Sequence, residues 1–242
     1  MRQGGAGSFG PAETVKNQAE RSIYNIYYQK IIGAKTFMGV RFLNYKQREG
    51  DCIVDYIERQ GNSGDIVDIG CSTGYFSRRL ADRFGADKVY GADISQKSIR
   101  KCRERHPDIQ FHYIGNRFYE DNLGRFEYVL LAHVLEHVYN PVEMLEKVKG
   151  LMTAQGSLIV SVPQERIRGD SALPENLYNF IRLKFENVHR VKYCADKLSA
   201  VLGEAGLGIT DYRYVNALRA QMNRQSLSNH SLVAHAEAIP QA

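Results

Sequence analysis

The sequence predicts an α/β fold: a mostly parallel sheet with helices on both faces and an antiparallel hairpin near the C-terminus. Three observations point there. Apolar runs and helix-patterned stretches alternate between residues 65 and 162, which is the pattern of a parallel sheet with crossover helices. A short glycine-bearing loop, "GCSTG", joins the first apolar run to the next helical pattern. Late in the chain, "HSLVAHAEA" alternates with period two, as a strand of an antiparallel pair does.

In order along the chain, residues 1–11 are Gly-rich and expected to be a disordered N-terminus. From Glu13 to Ile32 an apolar stripe of Ile23, Ile26, Tyr27 and Tyr28 predicts a helix. A second helix is expected over Tyr45–Arg59, ended by Gly61. Strands are expected over 65–69, 88–92, 109–114, 126–132 and 156–162, and helices over 75–84, 95–105 and 141–152. Asn140-Pro141 supplies the cap and first residue of the last of these. The mixed polar and aromatic segment 164–193 is too long for a plain connector. A glycine-closed helix, "ADKLSAVLGEAGLG", and two strands complete the chain. The expected organisation is one domain over 12–242, with lid helices in 12–62 and a substrate-capping insertion at 164–193.

Bulk composition narrows the class. The 242 residues are 43% hydrophobic and 24% charged, with a formal charge of +5. That charge lacks the dense basic runs of a dedicated nucleic-acid binder. Cys52, Cys71, Cys102 and Cys194 are scattered without a CxxC pair, as expected for reduced thiols in a cytoplasmic protein. No signal-peptide pattern and no run long enough for a membrane span is expected.

The glycine loop defines a ligand. Gly70 and Gly74 let the backbone adopt positive φ and approach a ligand closely. A dinucleotide fingerprint has three glycines and no acid facing the pyrophosphate; here there are two, and Asp68 stands at the strand end. A carboxylate there suits a positively charged ligand. Asp93, ending the next strand, is placed to accept hydrogen bonds from a ribose diol. S-adenosylmethionine combines an adenosine ribose with a cationic amino-acid arm.

"IVDIGCSTGYF" (66–76) resembles the first motif of class I S-adenosylmethionine-dependent methyltransferases, and "VYGADIS" resembles the acidic motif that follows it. "FEYVLLAHVLEHVYNP" (126–141) resembles the signature of the ubiquinone-type, small-molecule branch, and "GSLIVSVP" (156–163) its fifth strand. The resemblance implies a Rossmann-like sheet of seven strands with a reversed last strand. It places Asp68, Gly70, Cys71, Ser72 and Gly74 around the methionine end, Asp93 on the ribose and Ile94 on the adenine. Asn116 stands where the family often has an acid touching the adenine amine, and Ala132 lends backbone near the methionine arm, flanked by Leu131 or His133. Arg41, Lys46 and Arg48 are the candidates for its carboxylate.

His133 and His137 follow the fourth strand, where acceptor and methyl group should meet. Histidine titrates near neutral pH and suits a general base; His133 is the first choice, His137 the second. The plainer reading makes Glu136 and His137 structural. "VHRVKY" resembles the family segment in which a histidine approaches the acceptor, which adds His189. The run His133–His137 also spells H-x-x-E-H, a zinc-peptidase pattern, but it follows a strand and stops at Pro141, so no metal is expected. Some ubiquinone-type members bind a divalent cation with an acidic cluster here; His133 replaces such an acid.

The expected function is S-adenosylmethionine-dependent methylation, at oxygen, of a small-molecule or glycan intermediate. An RNA or protein methyltransferase is the alternative, and a non-catalytic S-adenosylmethionine-binding protein the third. An Asn/Asp-Pro-Pro-Tyr type motif for amine targets is absent, and nucleic acid is not the expected partner.

Overall fold

The computed structural model describes residues 45–61, 64–164, 193–216 and 229–240. The expected disordered N-terminus, the helix over Glu13–Ile32, Arg41, most of the 164–193 insertion and His189 lie outside the described residues.

Helix α1 (Tyr45–Gln60) precedes β1 (Ile66–Ile69), α2 (Tyr75–Phe84), β2 (Val89–Asp93), α3 (Gln96–Arg105) and β3 (Gln110–Tyr113). The short α4 (Phe118–Asp121), β4 (Phe126–Ala132), α5 (Pro141–Leu151) and β5 (Met152–Pro163) follow. Helix α6 (Ala195–Glu204), β6 (Leu207–Asn216) and β7 (Asn229–Ala238) complete the series. The strands form one seven-stranded sheet in the order β3-β2-β1-β4-β5-β7-β6. The pairs from β3 to β5 are parallel, and β7 runs antiparallel to both β5 and β6. The expected fold is therefore the observed one.

Side chains alternate across the sheet. Val67, Ile69, Val129 and Leu131 face a core completed by Leu145, Val148 and Leu151 of α5 and Leu198 and Leu202 of α6. Ile66, Tyr128, Leu130 and Ala132 face the other core, with Cys52, Ile53, Tyr56 and Ile57 of α1, Leu80 of α2 and Ile99 of α3. Burial on both faces is why these strands read as continuous apolar runs. Asp68 shares the face of Ile66, so its carboxylate points into the second core.

Caps set the helix starts. Asn140 Oδ1 accepts from Glu143 N at 3.4 Å with Pro141 in the first turn, and Ser95 Oγ accepts from Ser98 N at 3.2 Å to open α3. Strand β5 is longer than its apolar run because Met152 pairs with Phe126 across an irregularity before the regular ladder begins at Ser157. The four cysteines carry no disulfide. Among the described residues no helix is long and apolar enough to cross a membrane.

Candidate functional site

The site is built at the C-terminal ends of β1, β2 and β4, where open α/β sheets bind ligands. After Ile69 the chain turns through Gly70 and Ser72, at φ 78° and 50°, and enters α2 from Gly74 at φ 75°. The turn is tied to β2: the N–H groups of Gly70 and Cys71 both donate to Ala92 O, at 2.7 and 3.1 Å. A Cβ on Gly70 would lie 2.4 Å from Val134 Cγ2. A Cβ on Gly74 would lie 3.1–3.3 Å from His106, Cys102 and Phe111. Glycine at 74 thus answers to its φ and to the packing against α3 and β3.

Asp93 ends β2 nearly buried. Its Oδ2 accepts from Ser72 N at 2.9 Å and its Oδ1 from Ser95 N at 2.7 Å. Burial raises its pKa, and the two backbone N–H groups only partly oppose that. Each oxygen keeps a lone pair for another donor. Next to it Ile94 is 59% exposed, an apolar surface available to a flat ring. Asn116 is exposed in the turn between β3 and α4.

Asp68 is buried and accepts from Ser77 Oγ of α2 at 2.7 Å. Burial pushes its pKa up to about 6; the Ser77 hydrogen bonds lower it and the Asp93 charge adds to the rise. Among the described residues no cation pairs with it. A buried acid lacking a counter-charge, beside a glycine loop, fits a ligand that brings its own positive charge. Cys71 is buried in the same loop. Of the cations considered for a carboxylate on the same arm of such a ligand, Lys46 sits with its Nζ 5.1 Å from the Tyr75 ring centre at the start of α2. Arg48 instead donates to Asn216 O at 3.3 Å.

Ala132 ends β4, and His133 follows at φ 56°, a conformation uncommon outside glycine. Its N–H donates to Ser161 O of β5 at 2.9 Å. The turned backbone sends the imidazole between two buried carboxylates. Nε2 lies 2.8 Å from Glu49 Oε1 of α1, and Nδ1 lies 3.5 Å from Glu136 Oε1. Ser161 Oγ also donates to Glu49 Oε1. Burial depresses the His133 pKa, but the Glu49 charge and the hydrogen bonds to Glu136 and Glu49 outweigh it, leaving it raised to about 10. For Glu49, burial acts upward and the His133 charge prevails, lowering it to about 2. Glu136 is lowered in the same way, its burial overcome by His133. The ring is therefore held as an imidazolium, and the expectation that it titrates near neutral pH does not fit this environment. His137 lies outside that clasp, its Nε2 3.8 Å from Glu136 Oε1.

His230, the second residue of β7, approaches Glu49 Oε2 at 4.0 Å. Sequence reasoning did not single out Glu49, Ser161 or His230. Glu49 had a signal: it occupies the apolar stripe of α1 four residues before Ile53 and seven before Tyr56, where an acid is buried with them.

Comparison with known proteins agrees with this geometry. A model of the methyltransferase domain matches residues 44–212. A ubiquinone biosynthesis O-methyltransferase of Dictyostelium discoideum is 27% identical over 111 residues, covering 40% of this chain and 34% of that protein. A trans-aconitate 2-methyltransferase of Rhodopseudomonas palustris is 31% identical over 104 residues, covering 40% and 38%. A tRNA U34 carboxymethyltransferase of Campylobacter curvus is 26% identical over 131 residues, covering 48% and 40%. The matched stretch spans 34–40% of the length of these relatives. The fold is shared with a Burkholderia thailandensis 1,6-didemethyltoxoflavin-N1-methyltransferase, at TM-score 0.63 and 16% identity over 98% of this chain and 93% of that one. It is shared equally with the Synechocystis magnesium protoporphyrin IX methyltransferase, at TM-score 0.62 and 17% identity over 96% and 99%. A loop with two left-handed glycines between two strand-end acids, on a sheet of this strand order and within a matched stretch covering most of the chain, places the protein in the methyltransferase-domain family, class I, whose cofactor is S-adenosylmethionine.

Proposed function

We propose that the chain is an S-adenosylmethionine-dependent methyltransferase that methylates an oxygen of a small-molecule or glycan acceptor. The observation that carries the cofactor half of this reading is Asp68: a buried carboxyl that no cation pairs with among the described residues, at the start of the glycine loop. In this reading Asp68 faces the cationic arm, Asp93 the ribose diol and Ile94 the adenine. The loop of Gly70, Cys71, Ser72 and Gly74 closes around the methionine end with Ala132, Asn116 borders the base, and Lys46 takes the carboxylate. The cofactor supplies the activated methyl group.

What the chain's own residues add is placement and charge. His133, paired with Glu49, is a hydrogen-bond donor at the end of β4. With its ring nitrogens engaged by Glu49 and Glu136 it is no free base, which favours an acceptor that is already acidic, a carboxyl or phenol, over an alcohol that needs a strong base. His137, outside the clasp, is the better-placed group to receive a proton. His189 and the segment around it are the proposed source of further acceptor contacts.

The test pairs calorimetry with an acceptor screen. S-adenosylhomocysteine and S-adenosylmethionine are expected to bind, with NAD much weaker; NAD binding tighter than both overturns the cofactor half. Turnover, read as S-adenosylhomocysteine formed, is screened over carboxylic acids, phenols, glycans and tRNA. Methylation of tRNA alone moves the acceptor to RNA and overturns the small-molecule half.

A further inference from the structure

We propose that Glu49, His133 and His230 form a binding site for one first-row divalent transition cation. The three ligand atoms come from α1, the end of β4 and the start of β7, and all lie within 4.8 Å of one another. Two imidazoles and one carboxylate are the donor set that favours zinc, iron, cobalt or nickel over magnesium or calcium, which prefer oxygen.

Distances support the placement. Bonds of about 2.0–2.2 Å to nitrogen and oxygen put neighbouring ligand atoms roughly 3.0–3.5 Å apart. The observed separations bracket that span: His133 Nε2 is 2.8 Å from Glu49 Oε1, and His230 Nε2 is 4.0 Å from Glu49 Oε2.

A second, independent observation points to a missing ligand. Glu49 is fully buried, and its Oε2 has no hydrogen-bond partner among the described residues. Buried carboxylate oxygens ordinarily have one. Oε1 is held by Ser161 and His133, so the unsatisfied oxygen is the one turned toward His230.

The surroundings have the form of a metal site's support. Glu136 Oε1 stands 3.5 Å from His133 Nδ1, behind the nitrogen that would bind. A carboxylate there orients a ligating imidazole and raises its basicity. His133 is 25% exposed, so remaining coordination positions are reachable from the acceptor side. A cation would replace the proton at Nε2. This is not the H-x-x-E-H run of the sequence: His137 is no part of it, and two of the three ligands lie far outside the run. The role of the metal, to bind the acceptor oxygen and lower its pKa, rests on the methyltransferase reading; the binding does not.

The experiment uses the full chain, stripped with a chelator and titrated with Co²⁺ while the visible absorption of bound cobalt is followed. One saturable equivalent, displaced by Zn²⁺, is expected. His230→Ala and Glu49→Gln should abolish the band, His137→Ala should keep it, and Glu136→Gln should weaken binding about 10–100-fold. Calorimetry with S-adenosylhomocysteine reports separately on the cofactor loop, and His230→Ala should leave that affinity within about threefold, because its ring lies against Glu49 and His133 and not in the glycine loop. No saturable band, or a band that survives His230→Ala in protein that still binds S-adenosylhomocysteine, overturns the site. Cobalt bound by wild-type protein that binds no S-adenosylhomocysteine keeps the metal site and sinks the methyltransferase reading instead.

Discussion

His133 Nε2 and Glu49 Oε1 are 2.8 Å apart, joining the end of β4 to the buried face of α1 across 84 positions of sequence. Removing one partner of a buried pair leaves the other charge uncompensated, at a cost of about 3–5 kcal/mol. Glu49→Gln is expected to lose that much stability in urea unfolding. His133→Ala should lose at least as much, because it strands Glu49 and Glu136 together. A loss below about 1 kcal/mol in both, the level of an exposed pair, would show that the clasp is solvated.

Asp68 gives the site a pH dependence whose sign follows from its raised pKa. Unfolded, the carboxyl titrates near 3.9; folded, it titrates at about 6. Between those values the native state holds a proton that the unfolded chain has released, so this group makes the protein less stable as pH rises from about 4 to about 6. The shift corresponds to about 1–3 kcal/mol. Asp68→Asn should flatten that part of the stability profile, read as the difference in Tm between variant and wild type from pH 4 to 7. In wild type, affinity for S-adenosylmethionine should fall below about pH 6 as the carboxylate protonates. An Asp68→Asn variant with the same affinity as wild type at pH 8 would separate this residue from the cationic arm.

Asp93→Ala is expected to weaken S-adenosylhomocysteine binding about 10–100-fold, from two hydrogen bonds worth roughly 1.5–3 kcal/mol each before solvation competes. It also frees Ser72 N and Ser95 N, which the carboxylate holds, so some loss of Tm should accompany it. Calorimetry and thermal melts on the same sample check both. A lower Tm with unchanged affinity would assign Asp93 to the loop alone.

The two loop glycines should respond differently. Gly74→Ala forces a side chain to φ 75° and to within 3.4 Å of His106, Cys102 and Phe111; the strain alone is about 1–2 kcal/mol. Gly70→Ala drives its Cβ to 2.4 Å from Val134 Cγ2, in the turn that carries His133. Gly70→Ala should therefore cost more stability and disturb the His133–Glu49 pair, visible as a shifted imidazole resonance by NMR. Equal melting temperatures for the two variants would contradict this.

Most of the fold was legible because its signals are local. The helix over Tyr45–Gln60, the cap at Asn140 and the hairpin strands each announce themselves within a dozen residues. The site was legible only where one loop carries it: Asp68, Gly70, Gly74 and Asp93 are close in sequence and in space. Glu49 and His230 meet His133 through the packing of α1 and the reversal of β7, and nothing adjacent to either residue records that meeting. The protonation of His133 was illegible for the same reason, since both its burial and its Glu49 partner are tertiary. The opening of β5 was missed because "TAQG" has turn composition, and its pairing depends on an irregularity opposite Phe126.

The reversal of β7 has an evolutionary consequence. A parallel strand offers a ligand the residues at its end, whereas a strand running the other way offers those at its beginning, and so His230 reaches the same edge as His133. Asn216 Nδ2 donates to Asn229 Oδ1 at 3.1 Å, fastening the points where the chain leaves β6 and returns in β7. Both ends of the connection between those two asparagines therefore lie on the His133 side of the sheet, on strands that carry no part of the glycine loop. Under the proposed function, sequence change at those two junctions acts on the His133 side of the site and spares Asp68, Asp93 and the glycine loop.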